Sequence, residues 1–171
     1  MPLLDYRLDD AIAVIQPAQA PASSLAALAE LPALVQRAQS DPAVRAVVLA
    51  GVFVPGAGEE LEDSPALAAA CAALASSAKP VLGAPDGRVS GAALQLLFAC
   101  RWCIGGPGSA LAFPEVKSGL IPAPAVIEAV LKRMGAQATI EALSSGSSLD
   151  ATQAARAGSS RHCPSSMPCK P

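Results

Sequence analysis

A chain of 171 residues, 52% apolar and only 15% charged, has the material for one real core and does not have a disordered composition. Its formal net charge of −2, with no basic run longer than the pair Lys132–Arg133, excludes the electrostatic footprint of a nucleic-acid binder. The longest apolar run, around Ala46–Val54, is half the ~18 residues of a membrane span, and Asp5, Arg7, Asp9 and Asp10 precede any sustained apolar segment, so neither a spanning helix nor a secretory signal is expected.

In chain order, Leu4–Leu8 and Ala11–Gln16 alternate as two short strands joined by an acidic turn at Asp9–Asp10. Ser23 or Ser24 is placed to cap a helix carrying Leu25, Leu28, Leu31, Leu34 and Val35 at helical spacing, with Pro32 predicting a kink or a late start. Asp41-Pro42 ends it. Val44–Ala50, apolar and β-branched apart from Arg45, predicts a strand buried on both faces of a parallel sheet. A glycine-rich loop, Gly51–Gly58, follows, and Ser64-Pro65 opens an Ala-rich helix to about Ser76.

Val81–Ala84 reads as a second buried strand, residues 85–87 as a turn, and Gly91–Cys100 as a helix apolar almost all round and therefore buried. Trp102–Ile104 and Ala110–Phe113 read as short strands, Ala125–Met134 and Gln137–Leu143 as helices, and Ser148 or Asp150 as the cap of a last helical turn. Trp102 and Phe113 are assigned to the core. Strand and helix alternate throughout, so the class is α/β, over a domain of residues 1–158. Residues 159–171, rich in proline and serine, read as an irregular tail.

Five cysteines, an odd number in a chain without a signal, argue for reduced thiols rather than a disulfide framework. A soluble protein in the cytoplasm is the default, with peroxisomal and mitochondrial settings open. The pair Cys100-x-x-Cys103 has zinc spacing on one side only, so no metal site is expected. The single histidine, His162, lies in the tail, which removes a histidine-based nucleophile triad.

Two loops offer backbone N–H donors: Phe53–Gly58 after one buried strand, and Val89–Ala93 at the start of a buried helix. Glu115 follows about twenty residues later, between Pro114 and Val116. The order of these segments resembles the crotonase (enoyl-CoA hydratase/isomerase) superfamily. FVPGAG is similar to the family's F-S-A-G-A-D loop. KPVLGAPDGRVSGAALQLLFAC is similar to its K-P-V-[IV]-A-A-[IV]-x-G-x-[AC]-x-G-G-G-x-E-L-x-x-x-C segment, and FPEVKSGLIPA to its [LF]-P-E-[VT]-x-[LI]-G-L-[IL]-P-G segment. Within the superfamily the chain looks most like the N-terminal hydratase/isomerase part of multifunctional β-oxidation enzymes.

The resemblance implies a core of ββα repeats with buried parallel strands, lacking the family's C-terminal helices. It implies an acyl-CoA or enoyl-CoA thioester partner and no cofactor, the CoA being part of the substrate. Its trimer surfaces lie partly in those helices, so a homo-oligomer is not assumed. The two oxyanion-hole donors map to the backbone N–H groups of Ala57 and Ala92, and the family's second catalytic glutamate maps to Glu115. Its first maps to Gln95, which has no proton to exchange. One carboxylate suits double-bond isomerisation better than hydration; the alternative is a non-catalytic relative or a truncated product. Gly58, Pro55, Pro85 and Ala123–Val126 also depart from the family pattern.

Overall fold

Strands β1 (Leu4–Asp9) and β2 (Ile12–Pro17) pair antiparallel in full register, from Asp9 opposite Ile12 to Leu4 opposite Pro17. The reversal takes two residues, and Asp10 adopts a positive φ of 50°, which a short polar side chain tolerates. The computed structural model describes residues 2–18, 25–51, 64–158 and 161–162. The cap expected at Ser23 or Ser24, most of the Gly51–Gly58 loop, and Cys163 and Cys169 therefore lie outside the described residues.

Helix α1 (Leu25–Ser40) continues through Pro32 rather than starting after it, giving up one backbone hydrogen bond. It buries Leu28, Leu31 and Val35, packing chiefly on the helix that follows β3. Lys79 fastens its end, donating from Nζ to the carbonyls of Ala38 at 2.8 Å and Asp41 at 2.5 Å. β3 (Ala46–Ala50) then lies parallel to β2, and β4 (Val81–Ala84) parallel to β3. Both alternate buried with half-buried positions, so one face is fully covered and the other only partly. Between them, α2 (Pro65–Ala75) starts as the sequence predicts: Ser64 Oγ accepts from Leu67 N at 3.1 Å and proline occupies the first turn.

Two ββα units follow. The first is β4, β5 (Arg88–Val89) and α3 (Ala92–Ala99); the second is β6 (Trp102–Gly105), β7 (Ala110–Leu111) and α4 (Pro114–Lys117). The first strand of each unit joins the main sheet, and the second forms a small separate sheet. The four-residue α4 falls where the sequence predicts only a strand end, although Pro114 in its first turn is the usual helix-start signal.

The chain continues through α5 (Pro124–Met134), α6 (Ala136–Ser145), β8 (Leu149–Asp150) and α7 (Ala151–Arg156). Asp150 is the cap of α7: its Oδ1 accepts from Gln153 N at 2.8 Å, while Gln153 Oε1 accepts from Asp150 N at 2.9 Å. Inside the stretch read as tail, β9 (Arg161–His162) pairs parallel with β6. The main sheet runs β1-β2-β3-β4-β6-β9 and the small one β5-β7-β8.

The core is built from small contacts, with Phe113 among its few large side chains at 1% exposure. Trp102 is not in it. At 40% exposure it sits at the start of β6 with the Arg101 guanidinium 5.1 Å from its ring centre, because the strand begins where the sheet is uncovered. Gly83 marks the closest approach of helix to sheet: a Cβ there would lie 2.5 Å from Leu97 Cδ1 and 3.4 Å from Cys100 Sγ. Gly83→Val should accordingly cost about 1–3 kcal/mol through overpacking. Urea unfolding would read it as a lower midpoint at an unchanged slope.

Candidate active site

β5 and β7 pair in parallel, Arg88 beside Ala110 and Val89 beside Leu111, and Ala112 N donates to Val89 O at 2.9 Å. Neighbouring strands lie about 5 Å apart. Three residues past Val89 the chain enters α3 at Ala92; three past Ala112 it reaches Glu115 in α4. The register thus brings the start of α3 and the start of α4 to the same end of one strand pair. The preceding turns are joined as well. Ser109, buried, donates from Oγ to Pro85 O at 2.7 Å and accepts from Gly106 N at 3.0 Å, and Ala110 N donates to Gly87 O at 3.1 Å.

Gly91 caps α3 with φ 52° and ψ −128°, a conformation that only glycine adopts without strain. It carries no side-chain cap. Ala93 N and Leu94 N bond back to Ser90 O and Gly91 O, whereas Ala92 N has no acceptor among the described residues. Ala92 has no positive φ, so the alanine where the family commonly has glycine fits here without backbone strain. The position that requires glycine is the one before it.

Glu115 has a fixed backbone and an unsatisfied side chain. Its carbonyl accepts from Ser118 N and Leu120 N, both at 2.9 Å, closing a tight turn over Gly119 at φ 71°. Its Oε2 is buried and has no hydrogen-bond partner among the described residues. A buried carboxylate oxygen costs free energy unless something pairs with it, so its retention needs a reason other than stability.

Gln95 stands one turn into α3 from Ala92, half-buried, in an open groove of about 530 Å³ that α2, α3 and α5 line with Cys71, Phe98, Ala125 and Arg133 among others. A larger cleft of about 960 Å³ between α5, α6 and α7 includes none of Ala92, Gln95 and Glu115. Ala57 lies outside the described residues.

The cysteine pair is structural in character. Cys100 Sγ donates to Leu96 O and Cys103 Sγ to Leu97 O, both within the core. Burial pushes the Cys100 thiol far up, and Cys103 reinforces the shift. Burial also raises Cys103 to about 11, against the nearby Arg133 guanidinium, and raises Cys71 to about 11. Neither thiol of the pair is poised as a nucleophile. Among the described residues no three His, Cys, Asp or Glu side chains gather as a metal site would require. No described helix is long and apolar enough to cross a membrane.

Residues 9–164 match the enoyl-CoA hydratase/isomerase family. The chain belongs to that family. Relatives include the fatty acid oxidation complex subunit alpha of Idiomarina loihiensis, 31% identical over 172 residues, which span 88% of this chain and 24% of that protein. The peroxisomal bifunctional enzyme of Danio rerio is 30% identical over 131 residues, spanning 72% of this chain and 18% of that enzyme. A crystal structure of an enoyl-CoA hydratase/isomerase from Marinobacter aquaeolei superposes with a TM-score of 0.76 at 25% identity, over 94% of this chain and 69% of that one. The chain thus spans a quarter or less of these two relatives, and the ββα units described above belong to a crotonase fold.

Proposed function

We propose that the chain binds an enoyl-CoA thioester and moves its double bond from C3=C4 to C2=C3. In this reading the backbone N–H groups of Ala57 and Ala92 hold the thioester oxygen. Glu115 removes a proton from C2, the electrons spread into a dienolate whose charge rests on that oxygen, and the same proton is returned at C4. No second acid or base is consumed, and the CoA arrives as part of the substrate.

One observation carries this reading: a buried Glu115 oxygen without a partner among the described residues stands at the same end of a parallel strand pair as the helix whose Ala92 N–H has no acceptor among them. Family membership supplies the substrate class. Gln95 favours isomerisation over hydration, because an amide can orient water but cannot exchange protons with it. It also motivates the second reading, a relative that binds acyl-CoA without turning it over.

Calorimetric titration of the chain with an acyl-CoA, together with an assay of 3-enoyl-CoA isomerisation, tests both readings. Binding with turnover is the expected result; binding without turnover would favour the silent relative, and no binding would remove both. Gln95→Glu should then add measurable hydratase activity, since it restores the second carboxylate beside the first turn of α3. Persistent absence of hydration in a variant that still binds would show that the groove does not deliver Gln95 to the substrate.

A further inference from the structure

α3 has eight residues, about 12 Å of helix. Its N-terminal end carries the Ala92 N–H but has no side-chain cap, since Gly91 offers none. The C-terminal end is held differently. Arg133, half-buried in the last turn of α5, donates from Nη2 to the carbonyls of Phe98, at 3.2 Å, and Cys100, and from Nη1 to Arg101 O at 3.3 Å. The same Nη2 lies 3.7 Å from Cys103 Sγ, and the guanidinium sits 5.9 Å from the Phe98 ring centre. Together with the two thiols on Leu96 O and Leu97 O, the bond to Phe98 O occupies three of the four carbonyls that the end of α3 leaves open, while those to Cys100 O and Arg101 O hold the chain just beyond it. They also set a cation against the negative end of the helix.

We propose that Arg133 is a positioning residue for the oxyanion hole, acting through α3. The proposal rests on the assignment of Ala92 as a donor made above. A guanidinium is a rigid planar fork, so bonds in fixed directions to Phe98 O in the last turn of α3 and to Cys100 O and Arg101 O directly after it constrain both the rotation of α3 and its advance along its axis. Ala92 N–H sits at the far end of that two-turn rod. A shift of a few tenths of an ångström at Phe98–Arg101 reaches the donor almost undiminished, because the rod is too short to bend. A lysine reaches one of the three carbonyls and leaves rotation free. Arg133 also lines the groove that contains Gln95, so one side chain fixes the frame of both residues.

The test compares the full wild-type chain with Arg133→Met and Arg133→Lys. Each is examined for folding by circular dichroism, for kcat and KM on a 3-enoyl-CoA, and for the absorption of bound cinnamoyl-CoA. That chromophore moves to longer wavelength as its thioester carbonyl is polarised. The expected result is a red shift in the wild type that shrinks in both variants, with kcat down about tenfold and KM nearly unchanged, as for a donor weakened in the transition state. Arg133→Lys should recover stability more than rate. Where Arg133→Met does not fold, Arg133→Lys decides. A folded variant with the wild-type red shift and kcat overturns the positioning role and leaves the proposed function standing. A wild-type chain that binds cinnamoyl-CoA without any red shift overturns the oxyanion hole itself, and the role of Arg133 with it.

Discussion

Glu115→Gln should reduce turnover of a 3-enoyl-CoA by about 10³-fold, within the range for removing a general acid/base, while acyl-CoA affinity stays within about threefold. The amide has the shape of the carboxylate and leaves the α4 turn intact, since Ser118 and Leu120 bond to the backbone carbonyl of Glu115 and not to its side chain. What it removes is the ability to take a proton. Stability supplies a second, independent readout. The Oε2 of Glu115 is buried without a partner among the described residues, so the substitution breaks no hydrogen bond there. The variant should unfold at the same temperature as the wild type or a higher one. Activity lost together with stability would point to a collapsed site, and activity retained would displace Glu115 as the base.

Gly91→Ala should be the most damaging change of a single methyl group. At φ 52° and ψ −128° a Cβ brings about 1–3 kcal/mol of backbone strain, which the chain relieves by rotating the peptide between residues 91 and 92. That peptide carries the Ala92 N–H. Loss of one oxyanion donor typically costs 10²–10³-fold in kcat, so activity should fall by about that factor while the chain still folds. Thermal unfolding and steady-state kinetics separate the two effects. A variant with reduced stability but unchanged kcat would show that Ala92 is not a donor.

Much of the fold is legible in the sequence wherever a local rule determines it. Ser64-Pro65 starts α2, Asp150 with Gln153 starts α7, and two alternating segments around Asp9–Asp10 make the β1–β2 hairpin. Each depends on residues within a few positions of one another. α4 is missed because four residues are too short for any periodicity to register. Trp102 is misassigned because hydrophobicity says nothing about where a sheet is left uncovered.

The site divides along the same line. The residue types at Glu115, Gln95 and Ala92 come from family motifs, but the approach of the Glu115 and Ala92 segments depends on the β5–β7 register, which no local pattern encodes. Arg133 leaves no trace at all in the sequence. Its partners are 30–35 positions away, and a Lys-Arg pair at a helix end reads as ordinary solvated charge.

The parallel β5–β7 pair has a consequence for how such a chain can vary. The proposed base and donor are spaced by a backbone ladder and by equal three-residue runs beyond it, from Val89 to Ala92 and from Ala112 to Glu115. Side-chain identity contributes little to that spacing, so the small-residue core can drift through substitution while Ala92 and Glu115 keep their distance. A change in length is different. One residue inserted into either run would turn its helix by about 100° and carry Ala92 or Glu115 away from the shared end of the strand pair. The chain can therefore absorb many replacements around this site, but it has almost no tolerance for a change in count.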